Sequence, residues 1–399
     1  MKPARLAITG MGLVSALGWT AEETWTAIDR GRSGLGELTL FPSPRFGHFP
    51  VGEVRGDLAT ASGLTSGSRS DHLAAYAARA AFIHAGLDVL PGEEKKQVGL
   101  VLGASTGGLL SSESFLRGLI LEGQVDTSLL RHHECAHATN LVAHSLGIGG
   151  FRATVSTACS SGAMAISTAC DALCMNEARI MLAGGVDSLT RLTLNGFGSL
   201  LILSPDGCRP FDAGRRGMSL GEGAAVLVLE PEDGARARKA PILAYLGGRG
   251  NTCDAYHATR PAPDGSGIHR AMVLALEDAG LKPSEVSYVN AHGTGTVDND
   301  LAESRALTRL FGDRPPPISS TKRFFGHTLA AAGAIEAAVC VLALQHQRLP
   351  VNLGLTHLDP EISFMPVTEP VNAGLRAVLS NSLGFGGACS SLVICRGDS

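Results

Sequence analysis

The stretch DHLAAYAARAAFIHAGL (Asp71–Leu87), followed by VGLVLG (Val98–Gly103), decides how the chain is organised, because its pattern comes back as GIHRAMVLALEDAGL (Gly267–Leu281) followed by VSYVN (Val286–Asn290). Each copy is an apolar stripe at helical spacing that ends in Ala-Gly-Leu, then a short apolar run of strand type. Further along each copy come a helix, a strand, a polar side chain at a turn (Cys159 or His327) and a long small-residue helix. Each copy finishes on a Gly-rich turn and an apolar strand, Gly221–Glu230 and Gly384–Cys395. Strands alternating with helices predict an α/β architecture. Two copies of one α/β unit divide the chain into halves 1–235 and 236–399, and a duplication sets equivalent turns face to face.

The remaining strand signals are Leu6–Thr9, Ala153–Ser156, Ile180–Ala183, Ile318–Ser320 and Ala377–Ser380; Ser161–Cys174, Leu301–Phe311 and Thr328–Leu344 read as helices. The 50 glycines among 399 residues punctuate apolar runs instead of forming low-complexity tracts. Glycine in such places permits tight strand-to-helix turns, so the functional site is expected on loops.

Composition narrows the classes. With 44% hydrophobic and 18% charged residues the chain is globular and has enough apolar content for large cores. Its longest apolar stretch, Ala330–Leu344, is short for a bilayer and carries Glu336, which predicts a core helix and no membrane association. Met1–Arg5 runs straight into a strand-like segment without an export pattern, and nine cysteines lack framework spacing, so a reducing cytoplasm is expected. A net charge of −4 argues against a nucleic-acid partner.

Three segments carry chemistry. Val155-Ser-Thr-Ala-Cys159-Ser-Ser-Gly162 puts a cysteine where a strand turns sharply into a helix. Free N–H groups and the partial positive charge of the helix start favour a thiolate there and suit a nearby oxyanion. Asn290-Ala-His292-Gly-Thr294-Gly-Thr296 presents a histidine beside two hydroxyls, and Ser320-Thr-Lys322-Arg-Phe-Phe-Gly-His327 presents a lysine and a second histidine. Neutral imidazoles donate hydrogen bonds to a developing enolate, and a neighbouring cation keeps them neutral. Other motifs are set aside. Gly10-Met-Gly12 lacks the third glycine of a dinucleotide fingerprint, and Gly103–Gly108 lacks the P-loop lysine. His132-His-Glu-Cys-Ala-His137 looks metal-binding but has no second cluster at ligand spacing, so no metal is expected.

Taken in order, Ile8-Thr-Gly-Met-Gly12, Thr157-Ala-Cys159-Ser-Ser-Gly162, Leu182-Ala-Gly-Gly185, Arg209-Pro-Phe-Asp212, Gly221-Glu-Gly-Ala224, Asp254-Ala-Tyr-His257, Asn290-Ala-His292-Gly-Thr294, Lys322 with Gly326-His327, and Asn381-Ser-Leu-Gly-Phe385-Gly-Gly387 resemble the elongating ketosynthases of the thiolase superfamily. The resemblance covers almost the whole chain. It implies a thiolase-like fold with its two halves stacked in five αβαβα layers. It also implies a β-ketoacyl-(acyl-carrier-protein) synthase carrying out decarboxylative Claisen condensation. Cys159 would hold the acyl chain, and His292 and His327 would stabilise the enolate. Lys322 would bias the histidines with Glu336 as its partner, and the N–H groups of Cys159 and Phe385 would form the oxyanion hole. Thr294 and Thr296 match pantetheine-binding positions, and Phe385 matches a gate accompanied by the Asp254–His257 loop. Asn290, Glu336, Ser380 and Asn381 match a structural monovalent-cation site of some relatives; no other cofactor is implied. The implied partners are acyl carrier protein and a second copy in a homodimer, with a chain-length-factor-like heterodimer open. Initiating synthases instead show Cys-His-Asn, thiolases add a second cysteine, and chain-length factors lack the nucleophile; a non-catalytic partner subunit and a thiolase are the alternatives.

Some positions depart from the pattern. Leu383 stands where many fatty-acid enzymes have phenylalanine. Arg323-Phe-Phe325 predicts a differently shaped pocket mouth. Only Arg69 remains of a basic cluster near Thr65–Ser70, so carrier docking is expected to lean on Arg209, Arg215 and Arg216. The segments around Leu194 and Cys208 look more like synthases of pigment clusters (aryl polyene, flexirubin) or type II polyketides than like housekeeping fatty-acid enzymes.

Overall fold

A computed structural model describes residues 5–397; Met1–Ala4, on which part of the export reading fell, lie outside the described residues. The first half supplies β1 (Leu6–Ser15), β2 (Val98–Gly103), β3 (Arg152–Val155), β4 (Ile180–Asp187) and β5 (Gly223–Pro231). The second supplies β6 (Ala244–Cys253), β7 (Tyr288–Asn290) and β8 (Ile318–Ser319), then a two-stranded ribbon of β9 (Arg348–Leu349) and β10 (Val371–Asn372), then β11 (Ala377–Leu383) and β12 (Ala388–Cys395).

Strand order across the main sheet is β3-β2-β4-β5-β1-β6-β12-β11-β7-β8. Read outward from its centre, the second half repeats the first strand for strand. The pairs β2/β3, β2/β4, β7/β8 and β7/β11 are parallel, while β4/β5, β5/β1, β11/β12 and β12/β6 are antiparallel. The faint repeat in the sequence is therefore a repeat of topology. The halves join edge to edge through a short antiparallel β1/β6 pairing.

Helices cover both faces. Arg69–His84 lies on β1, β5 and β4, and Ser266–Ala279 lies on β6 and β12, forming the outer layers. Between the two half-sheets sit Ser161–Cys174 and Ala332–His346, each touching strands of both halves. This is the five-layer order. Ala332 through Leu344 is buried on every side, as expected for a helix apolar all round. The apolar run Leu329–His346 has the length and composition to cross a membrane, yet it lies packed between the sheets.

Sequence patterning missed the ten-residue β6 altogether, because Gly247, Gly248 and Gly250 read as breakers. The packing explains those glycines. A Cβ on Gly248 or Gly250 would lie 2.3 or 2.0 Å from the carbonyls of Ala275 and Ala271. Gly10 and Gly12 of β1 meet Ala81 and Ala77 of the other outer helix in the same way, at 2.5 and 2.0 Å. The Gly-x-Gly of each leading strand thus lets a helix backbone approach the sheet, which also accounts for the incomplete dinucleotide fingerprint. In the central layer a Cβ on Gly162 would sit 2.8 Å from Ala330 O, and one on Gly333 would sit 2.9 Å from Ala163 N. The two inner helices therefore cross almost backbone to backbone, which brings the turns at their starts together.

Candidate active site

After β3 the chain turns through Thr157–Ser161 into the inner helix. Ala158 takes a left-handed φ of +50°, a conformation that costs a non-glycine residue on the order of 1 kcal/mol. The turn is tied by Ser161, whose hydroxyl donates to Ala158 O at 2.6 Å and accepts from Thr157 N–H at 2.8 Å. Cys159 sits on its crest, buried, with its sulfur facing the Phe385 N–H. Burial pushes this thiol up to about 12, against the opposing pull of the Lys322 charge and the Phe385 N–H. Desolvation thus opposes the thiolate that the helix start favours.

His292 follows β7 and His327 follows β8, so both histidines come from the second half. The His292 and Gly293 N–H groups each donate to Glu303 at 2.9 Å, and Asn381 Nδ2 donates to the same carboxylate at 3.1 Å. The His327 N–H donates to Ser219 O at 2.7 Å and its carbonyl accepts from Gly221 N–H at 2.9 Å, which locks this turn to the strand-leading segment of the first half. The two rings lie 5.2 Å apart, edge to face at 85°. Lys322 Nζ is 3.2 Å from His292 Nδ1 and forms a fully buried ion pair with Glu336. An ammonium can only donate, so His292 Nδ1 accepts and its proton resides on Nε2. Burial first, and the Lys322 charge second, hold both imidazoles well below the usual histidine range; at neutral pH they are uncharged donors. Burial lifts the Glu336 carboxyl to about 7, with Lys322 opposing.

Cys159, His292 and His327 line one cavity of about 230 Å³, with Thr294, Leu383 and Phe385 among its other walls. Thr294 and Thr296 share a hydroxyl–hydroxyl contact of 2.9 Å in its wall. Phe385 stacks on Phe197, ring centroids 5.4 Å apart and 14° from parallel. Its loop bends through left-handed Gly386 and Gly387, φ +81° and +84°. The Asp254–His257 segment is bound to that loop: Asp254 N–H donates to Gly387 O and Gly386 N–H donates to Ala258 O, at 2.9 and 2.8 Å.

Several expectations change. Phe324 and Phe325 are fully buried in the core and, like Arg323, do not line the cavity, while Arg323 donates to Cys208 O at 2.7 Å. Arg215 is buried between Asp300 and Asp359 and is not a surface docking residue. Arg69 is held by Glu222. Arg216 remains exposed, paired with Asp206. Sequence reasoning saw one cysteine in the site, but Cys389 also lines the cavity. Its thiol, pushed by burial to about 12, points to Gly387 O at 3.6 Å. Glu303 and Phe197 were missed as well. The signal for Glu303 was available, since Asp300 and Glu303 stand one turn apart in Val297–Phe311 and both point back at the His292 loop.

At the cation position that the resemblance implies, Asn290, Ser380 and Glu336 gather about Cys340. Glu336 Oε2 has no partner among the described residues, whereas the Asn381 amide is engaged with Glu303 and Ser391. Three of the four residues thus offer oxygen donors that fit a monovalent ion.

Two family descriptions match the chain: "Beta-ketoacyl synthase, N-terminal domain" over residues 4–235 and "Beta-ketoacyl synthase, C-terminal domain" over residues 243–356. The chain is 35% identical to 3-oxoacyl-[acyl-carrier-protein] synthase 2 of Coxiella burnetii, with 99% of each covered. It is 37% identical to nodulation protein E of Rhizobium meliloti, covering 96% of this chain and 97% of that protein. Among solved structures it superposes on the ishigamide ketosynthase/chain length factor with a TM-score of 0.95 at 32% identity, covering 99% of this chain and 100% of that one. It also superposes on a ketosynthase in complex with its chain length factor from Xenorhabdus doucetiae, TM-score 0.85 at 31% identity, covering 99% and 98%.

Proposed function

Since the chain belongs to the β-ketoacyl synthase family and is a condensing acyltransferase, we propose that Cys159, His292, His327 and Lys322 carry out its reaction on chains held by an acyl carrier protein. The reading rests on one observation: a thiol from the first half and two uncharged imidazoles from the second share one buried cavity.

In the first step the Cys159 sulfur attacks the acyl thioester, and its proton leaves with the carrier's pantetheine thiol, which balances the exchange. Because burial opposes the thiolate, deprotonation accompanies attack. The oxyanion takes the N–H groups of Cys159 and Phe385. Malonyl-carrier protein then binds with its arm along Thr294 and Thr296. The carbon–carboxylate bond breaks, carbon dioxide leaves, and the electron pair becomes an enolate whose oxygen accepts from His292 Nε2–H and from His327. Uncharged donors stabilise this oxygen without protonating the carbon. The carbanion attacks the Cys159 thioester, the C–S bond breaks with its electron pair on sulfur, a proton from water restores the thiol, and a β-ketoacyl-carrier protein is released. A monovalent cation held by Glu336, Asn290 and Ser380 would add positive charge beneath Lys322.

We read the carried chain as one of specialised metabolism, an aryl polyene or polyketide, with a fatty acid as the alternative; the likeness to ketosynthase/chain-length-factor structures supports this. Relatives named 3-oxoacyl-[acyl-carrier-protein] synthase 2 support the alternative. A dimer, formed with a second copy or with a chain-length-factor-like subunit in the cytoplasm, fits the open edge strand β3 and the exposed Leu119, Ile120, Leu121 and Val125.

The test uses mass spectrometry. Acyl-carrier protein should leave an acyl adduct on Cys159, and malonyl-carrier protein should then yield carbon dioxide and a β-ketoacyl product. The Cys159→Gln variant should still decarboxylate malonyl thioester but not condense. Absence of an adduct on the wild-type cysteine would overturn the assignment of nucleophile, and loss of decarboxylation in the glutamine variant would overturn that of the histidines.

A further inference from the structure

Asp71, in the first turn of the Arg69–His84 helix, is buried, and its Oδ2 accepts the Ser68 N–H at 2.7 Å in a capping box. That bond fixes the carboxylate against rotation. Facing it, the turn after Thr127–Leu130 and the start of the Ala136–Leu146 helix present His132 and His137. The ligand missing from the His132–His137 run therefore arrives from a different element, far upstream in the chain.

The donors lie close together, though through different carboxylate oxygens: His137 Nδ1 is 3.0 Å from Asp71 Oδ1, His132 Nδ1 is 3.4 Å from Asp71 Oδ2, and the two Nδ1 atoms are 3.4 Å apart. An ion bonded at about 2.0–2.1 Å in tetrahedral geometry sets its ligand atoms about 3.3–3.4 Å apart. Hydrogen bonds alone serve this arrangement poorly. His132 Nδ1 has one proton or one lone pair, yet it stands within 3.4 Å of both the Asp71 carboxylate and His137 Nδ1. A cation between the three side chains would take one atom from each. His133 does not join, because its Nδ1 pairs with Ser112 Oγ at 2.8 Å.

We propose that Asp71, His132 and His137 form a mononuclear zinc-class site. Two imidazoles and one carboxylate suit a borderline first-row divalent ion and not calcium or magnesium, which take oxygen donors. The side chains of His132 and His137 are 19% and 27% exposed, which leaves the fourth position to water. The ion pins the 131–137 segment to the Arg69–His84 helix, away from the condensing cavity, and serves as a clasp.

The test starts from the full chain stripped with chelator and dialysed. Zinc titrated against a chromophoric competitor should bind at one equivalent per chain, and magnesium should not displace it. His132→Ala and His137→Ala should each weaken zinc by more than about 100-fold, since even partners outside the ligand set are worth 10–100-fold. Zinc should raise the melting temperature of the parent and leave both variants unmoved. Cobalt(II) bound to the unaltered protein reads the donor set directly, which covers the case of a variant that fails to fold. Tetrahedral d–d bands without thiolate charge transfer are expected. Binding unchanged in both histidine variants, a thiolate band, or no zinc bound at micromolar free metal would each overturn the site.

Discussion

Lys322 offers the sharpest test of the electrostatics. Its ammonium is 3.2 Å from His292 Nδ1, and at an effective dielectric of about 20 two unit charges at that distance repel by about 5 kcal/mol. Glu336, paired with the same ammonium, cancels part of this; if about a quarter survives, protonation of His292 still shifts about tenfold. Replacing the lysine alone is uninformative, because Lys322→Met strands a buried carboxylate at a cost of about 3–5 kcal/mol. The double variant Lys322→Met/Glu336→Gln removes the pair without an orphan charge and should keep the fold. Its His292 then protonates at higher pH, since the neighbouring charge that depressed it is gone while burial remains. An imidazolium beside the enolate delivers a proton to carbon, giving acetyl-carrier protein in place of condensation. Mass spectrometry of the products from acylated enzyme and malonyl-carrier protein, taken down the acid range, reads the ratio of the two. At a given acid pH the double variant should shift about tenfold toward acetyl-carrier protein. A double variant that folds and follows the parent's pH dependence would refute the claim that Lys322 biases His292.

Two further outcomes follow from packing and titration. Gly162→Ala forces a methyl to within 2.8 Å of Ala330 O. It should cost about 1–3 kcal/mol by overpacking and slow Cys159 acylation, whereas a gain of about 1 kcal/mol in urea denaturation, the ordinary helical benefit of alanine over glycine, would contradict the close crossing. Burial pushes Asp212 upward, but hydrogen bonds from His357, Thr356 and Gly214 outweigh it and bring the carboxyl from 3.8 down to about 2. Because the folded value lies below the unfolded one, the stabilisation is present above about pH 4 and lost as pH falls toward about 2. About 1 kcal/mol should be gone by pH 3 in the parent but not in Asp212→Asn, as read from urea midpoints; equal losses in both would contradict the account.

The sequence by itself determined the repeat and the turns that carry the candidate groups. Helical and strand periodicity survive in any sequence whose elements are half-buried, so Asp71–Ala85, Ser161–Cys174 and Gly267–Ala279 were legible within a residue or two of their observed bounds. Cys159, His292, Lys322 and His327 were legible because each follows a strand at a Gly- or small-residue-flanked turn. Tertiary structure decided what depends on contacts between distant segments. β6 was hidden because its glycines answer to a helix across the layer and not to strand propensity. The desolvation that opposes a Cys159 thiolate was not legible from the local helix start, since it is a property of everything packed around the turn. Arg215 and Phe324 looked available at the surface or at the pocket mouth and are interior. Asp71 lies beside His132 and His137 although it comes from a different element, which no local spacing could reveal. Local pattern thus fixes which groups are present and on what kind of element; burial, partner and charge state are set by residues far away in the chain.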